Sequence, residues 1–161
     1  MRVVSDSGPL IALARVEETE LLPQVYGDIL IPVAVRNEVI KSDKKRPGTV
    51  SFAEAEWLKV KPVSERTILG LLHDNLDVGE REAIALTLER EADVLLMDEL
   101  LGRRVASTHG LTRSGTLGIL LLAKGENLID KVGPVIDRLV DTGFRIGDAL
   151  YQFVLEQAGE A

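Results

Sequence analysis

The sequence contains no cysteine among its 161 residues. This absence excludes disulfides, thiolate metal ligands and thiol nucleophiles, and it favours a reducing compartment such as the cytoplasm. No apolar run approaches the roughly 20 residues that span a bilayer, and Asp6 interrupts the early apolar stretch, so neither a signal peptide nor a membrane anchor is predicted. We therefore expect a cytoplasmic protein without membrane association.

The sequence also offers few of the side chains that hydrolases use as nucleophile or general base. Its serines do not lie in a G-x-S-x-G motif, which a nucleophilic serine elbow would require. The two histidines, His73 and His109, fall in polar, loop-like stretches without the pattern of a catalytic acid or nucleophile nearby, so we expect both at the surface. Oxygen ligands remain, and these favour magnesium or manganese rather than zinc.

Composition indicates an ordinary folded domain, with 45% hydrophobic and 28% charged residues. The length suits one core, and we find no repeat or linker, so we expect a single domain over residues 1–161. The net charge of −7 is unlike that of a basic, nonspecific nucleic-acid clamp. An enzyme that binds cations through clustered carboxylates would also be acidic, and its divalent ions would reverse the local charge when a phosphate arrives. The net charge therefore does not exclude an enzyme that acts on nucleic acid.

The hydrophobic pattern alternates between strand and helix periods. It predicts strands over 2–5, 29–31, 57–63 and 93–97, and an exposed loop over 43–50. It predicts helices over 8–14, 18–26, 33–42, 64–73, 77–90, 99–107, 116–124, 129–141 and 147–157. This order favours an α/β fold, a three-layer α/β/α sandwich with a mostly parallel central sheet.

Two acids follow predicted strands directly. Asp6 comes after Val3, Val4 and Ser5, and Asp98 comes after the apolar strand predicted over 93–97. Ligands of parallel sheets bind beyond the carboxyl ends of the strands, so both carboxylates are candidate metal ligands. The alternatives are that Asp6 begins a turn and that Asp98 caps the following helix.

Three further acids lie on predicted helices. Glu38, in the string VRNEVIK, borders the apolar side of its helix, although a solvated glutamate would have the same pattern. Asp77 and Glu80 have the spacing of a capping box, which needs no catalytic role. A first-turn glutamate can serve both the cap and a metal, so we favour Glu80 as a ligand and Asp77 as the cap.

Four strings of the sequence, in this order and spacing, resemble the PIN-domain family, in particular the prokaryotic subgroup related to VapC-type toxins of toxin–antitoxin pairs. The strings are VVSDSGPLIALA (3–14), LDVGEREAIALT (76–87), LLMDELLGRRVA (95–106) and GTLGILLLAK (115–124). The resemblance implies a PIN-like fold and a magnesium- or manganese-dependent endoribonuclease. It also implies an RNA substrate, a cognate antitoxin and a homodimer.

The resemblance assigns metal binding and catalysis to Asp6, Glu38, Glu80 and Asp98. Ser7 and Thr116 would support them, with helix capping as the alternative for both, and Asp77 is the supporting cap beside Glu80. In the implied mechanism the carboxylates hold one or two cations, a bound water becomes the nucleophile, and the cations stabilise charge on the phosphate.

Basic residues near these acids are candidates for binding RNA. Arg103 and Arg104 follow Asp98 on the next helix, and residues 44–46 form a second basic patch, although solvated surface positions are the alternative for all of them. Two other classes of function remain open: a catalytically inactive binding module of the same fold, and a phosphoryl-transfer or receiver-like domain. The string Asp6-Ser7-Gly8-Pro9 disfavours the latter, because it lacks D-x-D-x-T and the paired acids of receivers.

Overall fold

A computed structural model describes residues 1–43, 51–72 and 74–161. The strands within these ranges are β1 (Val3–Ser5), β2 (Ile29–Ile31), β3 (Leu58–Val60), β4 (Val94–Leu96) and β5 (Arg113–Ser114). They form one sheet in the order β3-β2-β1-β4-β5, and every neighbouring pair is parallel. From β1 the chain adds β2 and β3 on one side, then crosses over and adds β4 and β5 on the other. The topological switch point of the sheet therefore lies between β1 and β4.

Helices connect the strands and follow the last one. Those in the described ranges are α1 (Ser7–Arg15), α2 (Leu21–Tyr26), α3 (Val33–Asp43), α4 (Arg66–Leu71), α5 (Val78–Glu89), α6 (Leu100–Thr108), α7 (Thr116–Gly125), α8 (Gly133–Asp141) and α9 (Asp148–Gln157). A short 3-10 turn covers Phe52–Glu54. None of these helices is long and apolar enough to cross a bilayer.

The central strand β1 is covered on both faces. Val3, Val4 and Ser5 are all inaccessible to solvent, and successive residues of a strand point to opposite faces. Helices α1, α2, α7, α8 and α9 form one connected packed set, α3 to α6 form another, and α1 also packs against α3. The predicted α/β fold with a parallel central sheet is confirmed.

Two predicted helices begin later than expected because of proline. Helix α2 starts at Leu21 rather than at residue 18, and α8 starts at Gly133 rather than at residue 129. Pro23 and Pro134 consequently lie in first turns, where the missing backbone N–H has no helical partner to lose. The hydrophobic pattern alone placed both prolines too deep inside their helices.

The helix predicted over 64–73 is shorter in the structure. It begins only at Arg66, because Glu65 is its N-cap and accepts from the Thr67 amide at 3.3 Å. The amides of Ser64 and Glu65 donate to the Glu89 carboxylate at 2.8 and 2.5 Å. Strand β3 is likewise shorter than the predicted 57–63. Most of the predicted loop over 43–50 lies outside the described residues, and Asp43 ends α3.

Strand β5 was not predicted at all. It has two residues, Arg113 and Ser114, and no apolar pattern. Backbone pairing with β4 forms it: the amide of Met97 donates to the Ser114 carbonyl at 2.8 Å, and that of Leu95 donates to the Thr112 carbonyl at 2.9 Å. This pairing brings the start of α7 beside the end of β4.

Candidate functional site

Asp6 and Asp98 lie at the same edge of the sheet. Strands β1 and β4 are parallel neighbours with Ser5 opposite Leu96, Asp6 follows β1 directly, and Asp98 lies two residues beyond β4. The Asp98 side chain contacts the first turn of α1, where a Cβ on Gly8 would lie 3.7 Å from Asp98 Oδ2. The two acids therefore border the crevice in which parallel α/β sheets bind ligands.

Asp6 is a buried carboxyl, with 6% of its surface exposed. It occupies the N-cap position of α1, yet no described residue forms a side-chain capping bond with it, and its Oδ1 has no hydrogen-bond partner there. Burial raises the pKa of Asp6 to about 7. The Ser7 amide opposes this shift, whereas the charges of Glu80, Asp77 and Glu38 add to it. A cation beside Asp6 would relieve both the desolvation and the repulsion.

Asp77 and Glu80 form the predicted capping box at the start of α5. The Glu80 amide donates to Asp77 Oδ1 at 2.7 Å, and the Asp77 amide donates to Glu80 Oε1 at 3.0 Å. Glu80 Oε2 is buried and has no hydrogen-bond partner in the described part of the chain. Burial raises the pKa of Glu80, and the charges of Asp77 and Glu99 add to the increase. One oxygen of Glu80 thus serves the cap while the other remains open to a ligand.

Glu38 projects from α3 toward the first turns of α1 and α5. The Ser7 hydroxyl donates to Glu38 Oε2 at 2.7 Å. A Cβ on Gly79 would lie 2.2 Å from Glu38 Oε1 and 3.4 Å from Asp77 Oδ1, so only glycine leaves room for this carboxylate. Glu38 is therefore not the solvated helix glutamate of the alternative interpretation, and Ser7 orients it.

Asp98 binds the first residue of α7. The Thr116 amide donates to Asp98 Oδ1 at 2.7 Å, and the Thr116 hydroxyl donates to Oδ2 at 2.6 Å. The alternative that Asp98 caps the helix after it is wrong, because the N-cap of α6 is Glu99, with no side-chain capping bond among the described residues. Pairing of β5 with β4 brings Thr116 to Asp98 instead, so Asp98 caps α7.

The four predicted metal ligands have the oxygen atoms that a divalent cation prefers, but in this structure the oxygens do not lie close enough together to hold one ion. Asp6 Oδ1 and Glu80 Oε2 are buried carboxylate oxygens without hydrogen-bond partners among the described residues, as a hard cation would need. Over residues 1–43, 51–72 and 74–161, however, no three acids or histidines are arranged so that they could hold one ion. The hydrogen bonds from Ser7 and Thr116 leave lone pairs on the Glu38 and Asp98 carboxylates for a cation, so joint ligation requires the acids to come closer together without giving up these bonds.

The predicted RNA-binding arginines differ in their surroundings. Arg103 is half-buried and its guanidinium donates to the Met97 carbonyl at 3.4 Å, near Asp98. Arg104 is exposed. His109 is exposed as predicted, whereas His73 and the basic patch at 44–46 lie outside the described residues.

Sequence reasoning missed three glycines that make room for the acids. A Cβ on Gly102 would lie 3.1 Å from Glu80 Oε2, and one on Gly115 would lie 2.5 Å from Asp98 Oδ1; Gly79 has the same role for Glu38. Glycine costs a helix roughly 1 kcal/mol relative to alanine, so Gly79 and Gly102 inside helices were a usable signal.

The fold and the site together define a parallel α/β protein with a cluster of acids at its topological switch point. A family model described as a PIN domain matches residues 2–160, and the chain therefore belongs to the PIN-domain family. Membership confirms the resemblance to the PIN-domain family and gives the chain a nuclease-type fold. PIN domains commonly use divalent metal ions. Comparisons with curated proteins and with solved structures gave no significant match.

Proposed function

We propose that the protein is a magnesium- or manganese-dependent endoribonuclease. The observation that carries the proposal is that two buried oxygens, Asp6 Oδ1 and Glu80 Oε2, have no hydrogen-bond partner in the described ranges and lie at the switch point of a PIN-domain sheet. Burying one oxygen of each of two carboxylates without a hydrogen bond is costly, and proteins tolerate such atoms where a ligand compensates for them.

Asp6, Glu38, Glu80 and Asp98 would hold the cation. A divalent cation bound there supplies an acidified water and stabilises charge on the phosphate. The chain's own contribution is orientation: Ser7 and Thr116 fix the carboxylates of Glu38 and Asp98 through short hydrogen bonds. Such supporting contacts tune metal ligands in other proteins.

RNA rather than DNA is proposed on the resemblance of the four sequence strings to VapC-type toxins. The same resemblance supports a toxin role, a cognate antitoxin, a homodimer and a cytoplasmic location as further proposals. We also propose that residues 1–161 form one domain, since one core cluster holds nearly all the buried apolar side chains of the described residues. PIN membership favours the nuclease over a phosphoryl-transfer or receiver-like domain, and the inactive binding module remains the second candidate.

The decisive experiment measures cleavage of single-stranded RNA, double-stranded RNA and single-stranded DNA by the purified protein with magnesium, manganese or a chelator. We expect cleavage of RNA with either metal and none with chelator. Asp6→Asn should abolish cleavage and weaken manganese binding while the protein stays folded. Asp28→Asn is the matched control, because Asp28 is an exposed acid preceding β2, at the opposite edge of the sheet.

Two results would contradict the proposal. Full cleavage of RNA by pure Asp6→Asn would show that the proposed acidic metal site does not catalyse the reaction. Binding of RNA without cleavage in any metal would favour the inactive module. The toxin role is tested separately: induced expression should arrest growth with the original chain and not with Asp6→Asn.

A further inference from the structure

A groove of about 560 Å³ opens beside Asp98, and no residue of α3 or α5 is among its described lining. Its walls come from α6, β5, α7, α9 and the loop before α9. Three arginines line it: Arg103 on α6, Arg113 on β5 and Arg145 in the loop. Asp98 is the one acid among the described residues that line it. We call this cavity the arginine groove.

The arginine groove has a net positive charge, because Asp98 offsets only one of its three arginines. In the described part of the chain none of the three arginines forms an ion pair, and their single side-chain hydrogen bond is the one from Arg103 to the Met97 carbonyl. Arg113 and Arg145 are exposed. In a chain of net charge −7, three arginines that line one cavity and form no ion pair with a described residue indicate an anionic ligand.

The arginine groove also carries exposed apolar side chains. Phe153 on α9 is 54% exposed, and Leu150 and Leu100 are 47% and 61% exposed. Phe144 lies beside them at the cavity wall. An exposed aromatic ring among arginines matches the way proteins hold single-stranded nucleic acid, with bases stacked on rings and phosphates bound by cations.

We propose that the arginine groove binds the nucleotides of single-stranded RNA that flank the scissile phosphate. A base stacks on Phe153, and Arg113 and Arg145 contact the backbone phosphates. The proposal rests on the proposed function, since Asp98 belongs both to the groove and to the candidate catalytic site. Single strands fit because only unstacked bases can reach a ring.

An acidic polypeptide is the competing occupant, and a substitution of Phe153 distinguishes it from RNA. The carboxylates of the polypeptide would bind the same arginines, but its apolar side chains would pack on leucine nearly as well as on phenylalanine. A nucleobase requires the flat ring. Replacing Phe153 by leucine therefore weakens binding of RNA and leaves binding of an acidic polypeptide nearly unchanged.

The test is fluorescence anisotropy with a labelled single-stranded oligoribonucleotide in chelator, so that binding is measured without cleavage. We expect Phe153→Leu to weaken binding at least about fivefold, as the loss of a stacked base does. Arg113→Gln and Arg145→Gln should each weaken binding. Each should also make the negative slope of log association constant against log salt concentration shallower by about 0.7. Arg15→Gln, an exposed arginine at the far end of α1, should change neither quantity.

Unchanged affinity in all three groove variants would overturn the proposal, as would tight binding of poly-glutamate that is insensitive to Phe153→Leu together with no binding of RNA. Failure of the proposed function looks different: RNA binds through the groove but is not cleaved in any metal. Conversely, if the groove variants cleave RNA with an unaltered KM, the proposed nuclease function stands and the proposed RNA subsite in the arginine groove is wrong.

Discussion

Thr116 holds Asp98 through two atoms, its backbone amide on Oδ1 at 2.7 Å and its hydroxyl on Oδ2 at 2.6 Å. Thr116 is buried and begins α7, so the carboxylate also lies at the positive end of that helix. The two residues are 18 positions apart, on either side of α6 and β5. The contact fixes the direction in which Asp98 can present an oxygen to a cation.

Thr116→Val should loosen Asp98 while conserving the shape of residue 116. Loss of the hydroxyl bond to a charged group should cost about 1–3 kcal/mol of stability. RNA cleavage should fall by about 10- to 100-fold, as with other residues that orient metal ligands. Thr116→Ser retains the hydroxyl and should stay close to the original activity. Equal cleavage rates for the valine and serine variants would show that this contact does not matter for function.

Asp6→Asn should stabilise the metal-free protein at alkaline pH. The pKa of Asp6 is about 7 in the fold against an ordinary 3.8, so the folded state binds the extra proton and the free energy of unfolding falls as the pH rises between these values. Above pH 7 the cost reaches at most roughly 4 kcal/mol. Thermal unfolding in chelator should therefore show a higher midpoint for the variant at pH 8 and a smaller difference at pH 5.

The control for this measurement is Asp28→Asn, which makes the same chemical change on the surface and should show no such pH dependence. Adding manganese should raise the midpoint of the original protein more than that of Asp6→Asn, because binding to the folded state stabilises it. A midpoint for Asp6→Asn at or below that of the original chain at pH 8 would refute the argument from burial.

Gly79→Ala should impair function without unfolding the protein. The added Cβ would lie 2.2 Å from Glu38 Oε1, so the Glu38 carboxylate must move and give up its bond from Ser7. Alanine is the better helix former, which limits the net loss of stability. We expect a similar thermal midpoint and RNA cleavage reduced at least about tenfold.

Gly70→Ala is the matched control for Gly79→Ala. Gly70 lies within α4, and no described atom comes within 4 Å of the position of its added Cβ. This variant should keep full activity. Undiminished cleavage by Gly79→Ala would mean that the position of Glu38 seen here is not needed for catalysis.

Glu160→Gln should weaken the attachment of the segment after α9 to α8. Glu160 accepts hydrogen bonds from Lys124 at 2.8 Å and from the amides of Val132 and Gly133 at 2.8 and 3.0 Å. Desolvation raises its pKa, but these bonds outweigh desolvation and lower the pKa to about 2. The stabilisation is therefore present above pH 4.5 and is lost as the pH falls from 4.5 toward 2.

Thermal unfolding followed by circular dichroism checks this expectation. The midpoint of Glu160→Gln should lie below that of the original chain at pH 7, and the difference should shrink at pH 3. Glu156→Gln, an exposed position on α9, is the control and should match the original chain at both values. A difference of the same size at pH 3 and pH 7 would contradict the assigned charge contacts.

The sequence by itself determined the elements whose signals are local. The apolar runs of β1, β2 and β4 and the Asp77–Glu80 cap of α5 were predicted nearly to the residue. Their parallel order placed Asp6 and Asp98 at one edge of the sheet, and the four strings predicted the PIN family. Periodicity and capping act between residues a few positions apart, so the sequence displays them directly.

Only the tertiary structure decided which partner each carboxylate has. Glu38 meets Ser7 across 31 positions and Asp98 meets Thr116 across 18, and the latter contact depends on β5, a strand without a hydrophobic pattern. The arginine groove likewise unites α6, β5 and the loop before α9. Hydrogen-bond partners and charge neighbours are fixed by packing distant segments together, because a polar side chain takes whichever partner the fold brings within about 3 Å.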